Sequence, residues 1–328
     1  MTRKLAAYLT FLLLLTVAIY VAMDLYVKHE PPLVRWKTVT VHDPPPLPQL
    51  QTTGMVKQPM VRQAENVFPS PDGTFLGCVD GGTLTVVDAK TGAVVRRTTA
   101  SHPIIDVVWI RDRLLFYVTS ANQLVTFDVL ANRVRPIYTS DPPAGQTFRA
   151  LAFSDYTNDV FFIYGSAKGN TVYQFDTNEH VWATSIGAIG VQNAYYGTTS
   201  KILYLDDAKH NLYQLNGGYL QRISQRAAIL RGAGNSLFYA DLNKLGQAIA
   251  VEERNDSGQT RLVCRLEKPA PVADVVIDHA GKVFVAAGDV VENEMERREW
   301  RVPSGYQLRV AGHDILLIRG ATFRVVVD

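Results

Sequence analysis

The chain has 328 residues, enough to bury a large core, and its 33 Lys+Arg nearly balance 31 Asp+Glu. That balance excludes the basic excess of a nucleic-acid binder and the acidic block of a solvating tail. Aromatic and β-branched residues are plentiful, which excludes wholesale disorder.

The N-terminal end reads as a membrane anchor. Arg3 and Lys4 precede residues 5–23, an apolar run broken only by Thr10, Thr16 and tyrosines, of a length that crosses a bilayer as one helix. The preceding positive charges place the N-terminus in the cytoplasm and the bulk of the chain outside it. A cleaved signal peptide is the competing reading. The exit Ile19-Tyr20-Val21-Ala22-Met23-Asp24 is a poor cleavage site and favours an uncleaved signal anchor over residues 1–29.

Residues 30–60 carry Pro31, Pro32, Pro44, Pro45, Pro46, Pro48 and Pro59, which favour extended backbone and make this stretch a semi-rigid stalk. Two pieces near it, Leu33 to His42 and Met55 to Gln63, are candidates for a strand that closes the domain behind it.

From residue 61 to 328 the sequence repeats. The clearest copy, Ser70 to Gly92 (SPDGTFLGCVDGGTLTVVDAKTG), reads turn, strand, turn, strand, turn. One strand of each repeat aligns: LTVVDAKTG with Asp88, LVTFDVLAN with Asp128, TVYQFDTNE with Asp176, NLYQLNGG with Asn216, TRLVCRLEK around Arg265, and REWRVPSG ending at Gly305. An Asp or Asn followed by Gly or Asn is turn chemistry: a side chain that bonds nearby backbone, then a residue that tolerates positive φ. A spacing of about 36 to 49 residues fits four short strands per blade of an all-β β-propeller. The last stretch, His313 to Asp328, supplies two strands and stops short. Pairing Thr322 to Asp328 with an N-terminal strand completes seven blades, with six as the alternative because the final repeat is short.

Val86 to Trp109 (VVDAKTGAVVRRTTASHPIIDVVW), with the SPDG turn at Ser70 to Gly73, resembles the YVTN type of bacterial surface propeller repeat and, more distantly, the WD-repeat group. The resemblance implies a propeller and brings no catalytic residue, because its motifs specify turns and strand ends. The WD dipeptide itself does not occur.

The chemistry-bearing groups are few. No GxSxG elbow, HExxH, Walker loop or paired CxxC occurs, and no cofactor is expected. Asp206, Asp207, His210 and Asn211 lie together in YLDDAKHNLY, as metal ligands or as a polar hairpin turn. Asp289, Glu292, Glu294 and Glu296 form an acidic loop followed by Arg297 and Arg298, as a lip for a basic partner or a solvated loop. Tyr195, Tyr196, Tyr204, Tyr213 and Tyr219 crowd the fourth repeat, as contact surface or as packing between sheets. His102, His180, His279 and His313 occupy different positions in their repeats and are not expected to converge. Cys78 and Cys264 lie in distant repeats and are expected to be buried free thiols.

These observations favour a single-pass, extracytoplasmic propeller that binds a protein or cell-envelope polymer and no nucleic acid. The alternative is a propeller enzyme, a lactonase-like hydrolase or a lyase, working in the central channel. That alternative needs polar groups on the innermost strands, which read as mostly apolar: Val67, Trp109, Phe153, Val276.

Overall fold

The computed structural model describes residues 67–302, apart from 155, 156, 158, 177–179, 234, 279 and 289. It also describes the strand backbone at 52–57, 307–311, 314–319 and 322–326. The anchor expected over residues 5–23, most of the stalk, and the candidate strand Leu33 to His42 lie outside the described residues. Among the described residues no helix is long and apolar enough to cross a membrane.

The fold is an all-β propeller, with every strand inside the compact unit Leu47–Asp328. The first strand in chain order, β1 (Thr52–Lys57), is considered last. Blade one contains β2 (Val67–Pro69), β3 (Phe75–Asp80), β4 (Thr83–Asp88) and β5 (Val94–Thr99). Blade two contains β6 (Ile104–Arg111), β7 (Leu114–Thr119), β8 (Gln123–Asp128) and β9 (Arg133–Thr139). Blade three contains β10 (Thr147–Phe153), β11 (Val160–Ser166), β12 (Gly169–Phe175) and β13 (Val181–Gly187). Blade four contains β14 (Val191–Gly197), β15 (Ile202–Asp207), β16 (Asn211–Asn216) and β17 (Tyr219–Gln225). Blade five contains β18 (Ala227–Ala233), β19 (Ser236–Leu242), β20 (Gln247–Arg254) and β21 (Thr260–Pro271). Blade six contains β22 (Val275–Ile277), β23 (Val283–Ala287), β24 (Val290–Asn293) and β25 (Arg298–Arg301).

Each of these six sheets uses four consecutive strands in antiparallel order. A further four-stranded sheet joins the two ends of the chain: β26 (Gln307–Ala311), β27 (Asp314–Arg319) and β28 (Thr322–Val326) pair in turn, and β1 adds to β28. Thr52 lies opposite Val326 and Lys57 opposite Thr322. The closing strand thus shares Met55, Val56 and Lys57 with the second sequence candidate and begins three residues earlier. The innermost strands touch in sequence from β2 through β6, β10, β14, β18 and β22 to β26, and β26 touches β2.

The second strand of a blade explains why the sequence shows continuous apolar runs rather than alternation. It is covered on both faces by neighbouring blades. In β7, Leu115 and Tyr117 pack toward blade one while Phe116 and Val118 pack toward blade three. In β11, Phe162 and Tyr164 face blade two, and Phe161 and Ile163 face blade four. The same division holds in β19, with Leu237 and Tyr239 on one side and Phe238 and Ala240 on the other. Burial of each such Leu, Ile, Val or Phe side chain stabilises the fold by about 1.5–3 kcal/mol. Specific contacts add register. The Trp109 indole N–H of blade two donates to the Phe68 carbonyl of blade one at 2.7 Å, and its ring stacks on Phe75.

The turn chemistry recurs, with one correction. Asp88 Oδ1 accepts the amides of Lys90 and Thr91, and Asp128 Oδ1 accepts that of Ala131. Asp176 Oδ1 accepts the amide of His180. In blades five and six the equivalent residues are Asn255, which accepts from Gln259, and Asn293, which accepts from Met295 and Glu296. The segments around Arg265 and at Arg298–Arg301 therefore belong to the fourth strands, not the third. The third strands there end in Asn-Asp-Ser-Gly and Asn-Glu-Met-Glu, which look unlike the earlier Asp turns but make the same bonds.

Closure through β1 yields a direct test. A chain starting at residue 47 should fold with a single cooperative transition. A chain starting at residue 58 leaves β28 as an open edge. It should melt several degrees lower or aggregate, as read by thermal unfolding with light scattering. Equal melting of the two chains would mean that β1 contributes nothing to closure.

Candidate functional site

The charged groups singled out in the sequence fall in two separate places. Asp206 and Asp207 end β15, and their side chains do different work. Asp206 is 2% exposed and links two blades. Its Oδ1 accepts the backbone amide of Asn193 at 2.8 Å, and its Oδ2 accepts that of Ile229 in blade five at 2.8 Å. Burial raises its pKa, against the lowering by these donors. Asp207 closes the β15–β16 turn by accepting the amides of Lys209 and Asn211 and the Tyr213 hydroxyl. His210 occupies the left-handed position of that turn (φ 62°), as Asn122 does in blade two and Gly246 in blade five. Asn211 donates its side-chain amide to Asp207. Among the described residues no group of three His, Cys, Asp or Glu side chains is placed to hold a metal.

Glu292 and Glu294 lie on and just beyond β24, while Asp289 lies outside the described residues. Arg297, at the left-handed position of the following turn, reaches Glu267 at 3.4 Å, Glu292 at 3.6 Å and Glu294 at 3.4 Å. Glu294 is nearly sealed from solvent and accepts the Glu267 amide at 3.1 Å. Burial, then the neighbouring carboxylates, push Glu292 above the ordinary range, and burial does the same for Glu294. Glu296 instead pairs with Lys282 at 3.0 Å and Arg298 at 3.4 Å.

The tyrosines divide. Tyr196 packs on Phe161 across blades three and four, and Tyr195 stacks on Tyr204 and lies against Gly232, where a Cβ would meet its ring. Of the five, Tyr219 is the one that stands out in solvent, at 84% exposure. His102 and His180 sit on exposed loops of different blades, while His279 and His313 lie outside the described residues. Cys78 is a buried free thiol and Cys264 a half-buried one. Burial pushes their pKa values up to about 12 and about 11.

The structure brings together a site that the sequence reading passed over. A cavity of about 770 Å³ opens where the innermost strands of blades two, three and four meet. β6 contributes Asp106, β10 contributes Phe148 and Arg149, and β14 contributes Gln192 and Asn193, with Gln146 on the approach to β10. Three of these strands carry a bulge here: the register shifts between Ile104 and Asp106, between Phe148 and Ala150, and between Val191 and Asn193. A bulge re-aims side chains that regular pleating would bury between blades. It explains how an Asp, an Arg and a Gln come to line a channel wall.

Asp106 is half-buried and hydrogen-bonded to the Val107 backbone amide, and burial raises its pKa to about 6. Arg149 lies over Gly165, whose missing side chain leaves it room, and donates to the Gly165 carbonyl at 3.4 Å. The Gln146 side-chain oxygen has no hydrogen-bond partner. The expectation that innermost strands offer mostly apolar groups is therefore corrected. Val67 and Trp109 are buried between blades and Phe153 packs on Phe116, but the polar residues of the same set of strands line the channel. The available signal was the lone carboxylate in Ile104-Ile105-Asp106-Val107-Val108.

No protein-family model matches the chain, and no curated protein matches it. Its fold resembles many solved structures. A streptogramin B lyase superposes with a TM-score of 0.58 at 8% identity, over 84% of this chain and 98% of that one. A virginiamycin B lyase from Staphylococcus aureus with quinupristin gives 0.57 at 8%, over 84% and 100%. The β-propeller domain of Cps50 (Swd1) from Myceliophteria thermophila gives 0.58 at 12%, over 85% and 100%. An oligogalacturonate lyase in complex with manganese gives 0.57 at 11%, over 85% and 97%. At these identities the likeness is one of fold.

Two variants probe the electrostatics. Arg297→Met should destabilise the fold by about 1–3 kcal/mol at pH 8, since three carboxylates lose their shared cation. The loss should shrink at pH 5, toward which Glu292 and Glu294, with their raised pKa values, begin to take up protons, as read by denaturant unfolding at both pH values. Asp106→Asn acts in the opposite sense. A carboxyl whose folded pKa is raised favours the fold below its unfolded pKa near 4 and loses that advantage as pH rises through about 6. The variant should match wild type at pH 4 and exceed it by about 1–2 kcal/mol at pH 7.5.

Proposed function

We propose that this chain is a membrane-anchored, extracytoplasmic propeller that binds a protein or cell-envelope polymer through the channel mouth between blades two, three and four. The observation that carries this reading is the cavity itself. Three separate innermost strands turn hydrogen-bonding side chains toward one space, and two of the three bulge residues there, Arg149 and Gln192, are polar and exposed. A wall built from several blades suits recognition of an extended partner, because each blade supplies an independent contact. The anchor reading rests on Arg3, Lys4 and the apolar residues 5–23.

A second reading is favoured by one residue. Asp106, with its pKa raised to about 6, is a proton acceptor of the strength used in general base catalysis, and Arg149 on the same cavity could hold an anion. This makes a lyase or hydrolase in the channel the alternative, and lyases are among the fold neighbours.

The two readings separate in intact cells. A membrane-impermeant crosslinker should join the wild-type chain to a discrete partner, and Arg149→Met with Gln192→Ala should reduce the yield several-fold. Recovery of no adduct, together with turnover of a small substrate by the purified chain, would transfer the function to the enzyme reading.

A further inference from the structure

The channel cavity has a polarity of its own. Asp106 is the carboxylate among its lining residues, and among the described residues no cation pairs with it. Its hydrogen bond comes from the Val107 backbone amide. Gln146 adds an acceptor oxygen with no partner. A half-buried carboxylate left without a counter-charge costs free energy that the fold does not recover by itself. Such a cost is retained where an incoming cation supplies the missing partner.

Arg149 supplies the opposite charge on the same lining. It is exposed, and its guanidinium spends one long bond, 3.4 Å, on the Gly165 carbonyl. Most of its five donors remain for a ligand, and a carboxylate matches their forked geometry. Gly165 matters to this pose: a Cβ there would clash first with Asn170 Oδ1 and would also crowd Arg149 Cγ at 3.1 Å and Nε at 3.2 Å, so a side chain would shift both. β14 contributes the neutral amides of Gln192 and Asn193, so Asp106 and Arg149 are the charged groups of the lining. Phe148 and Ile105 add apolar surface to the same lining. At about 770 Å³ the space suits a small ligand of a few residues rather than a single ion.

We propose that this cavity binds a zwitterionic ligand of the amino-acid or short-peptide class, its ammonium group on Asp106 and its carboxylate on Arg149. The ligand class rests on the reading of the channel mouth as a binding site. It sharpens that reading, because a polymer or protein would be held through a chain end or an amino-acid branch rather than through a continuous surface.

The test uses the full chain in detergent micelles and trialanine in three forms, free, N-acetylated and C-amidated, with binding read by calorimetry at pH 7.5. The free tripeptide should bind saturably. Acetylation should weaken binding about tenfold or more, and amidation should weaken it several-fold, as expected for losing one charge-assisted bond each. Asp106→Asn should abolish the difference between free and acetylated peptide, and Arg149→Met that between free and amidated peptide. Binding of the free peptide should also fall as pH drops below about 6, where Asp106 takes up a proton while the peptide amine is already fully an ammonium and its carboxylate stays ionised. Asp106→Asn is expected to be at least as stable as wild type, so lost binding there is not lost folding.

Equal binding of all three peptides, or no saturable binding of any at millimolar concentration, overturns the proposal. Crosslinking with the same two variants keeps the failures apart. A partner captured undiminished by both variants, with no peptide bound, sinks the ligand class and leaves the binding module standing. Peptide binding without any captured partner sinks the assembly role and leaves the ligand class standing.

Discussion

The structure depends on ring closure. A propeller blade has two apolar faces, and neither is buried until a neighbour covers it. The clusters between successive blades, from Val86 and Trp109 at the first interface to Phe284 and Leu308 at the last one described, use the same strands on opposite faces. Phe161 and Phe162 are adjacent in β11 and belong to different interfaces. Each interface therefore presupposes the next, and an open ring would leave a full face exposed. The β1–β28 ladder removes that exposure with backbone hydrogen bonds, which do not depend on side-chain identity.

Polar residues inside such a ring have two fates, and the contrast between Asp206 and Asp106 sets them out. Asp206 is surrounded by donors from its own blade and the next, so its carboxylate works as a rivet across the blade four–five boundary. Asp106 faces a cavity and has one backbone donor. Both have raised pKa values with burial as the leading cause, yet only the second keeps unfilled capacity. Asp206 is sealed and has its oxygens filled, while Asp106 is half-buried with room for a further donor.

Much of the architecture was legible in the sequence because turns announce themselves chemically. Asp88, Asp128 and Asp176 bond their local backbone just as their residue types suggest. The reading slipped in blades five and six, where Asn255 and Asn293 perform that role inside less familiar strings. Asp206, Asp207 and His210 attracted attention as a cluster. Alternation along β15 sends the two carboxylates to different tasks, and His210 serves the backbone. The channel cavity was not legible, since it is assembled by bulges on three strands more than forty residues apart. A bulge leaves no compositional mark: Ile105, Arg149 and Gln192 share no residue type.

The sheet that joins the chain ends also imposes an order in time. β1 is made early and its partner β28 last, with every other blade between them. At ribosomal speeds of about 5–20 residues per second, β1 waits on the order of tens of seconds for the strand it pairs with. During that interval the nascent domain is an open arc with one uncovered face at each end, and the arc is the species most exposed to mispairing. The polar, glycine-containing sequence of β1, Thr-Thr-Gly-Met-Val-Lys, suits a strand that must stay unpaired through that wait.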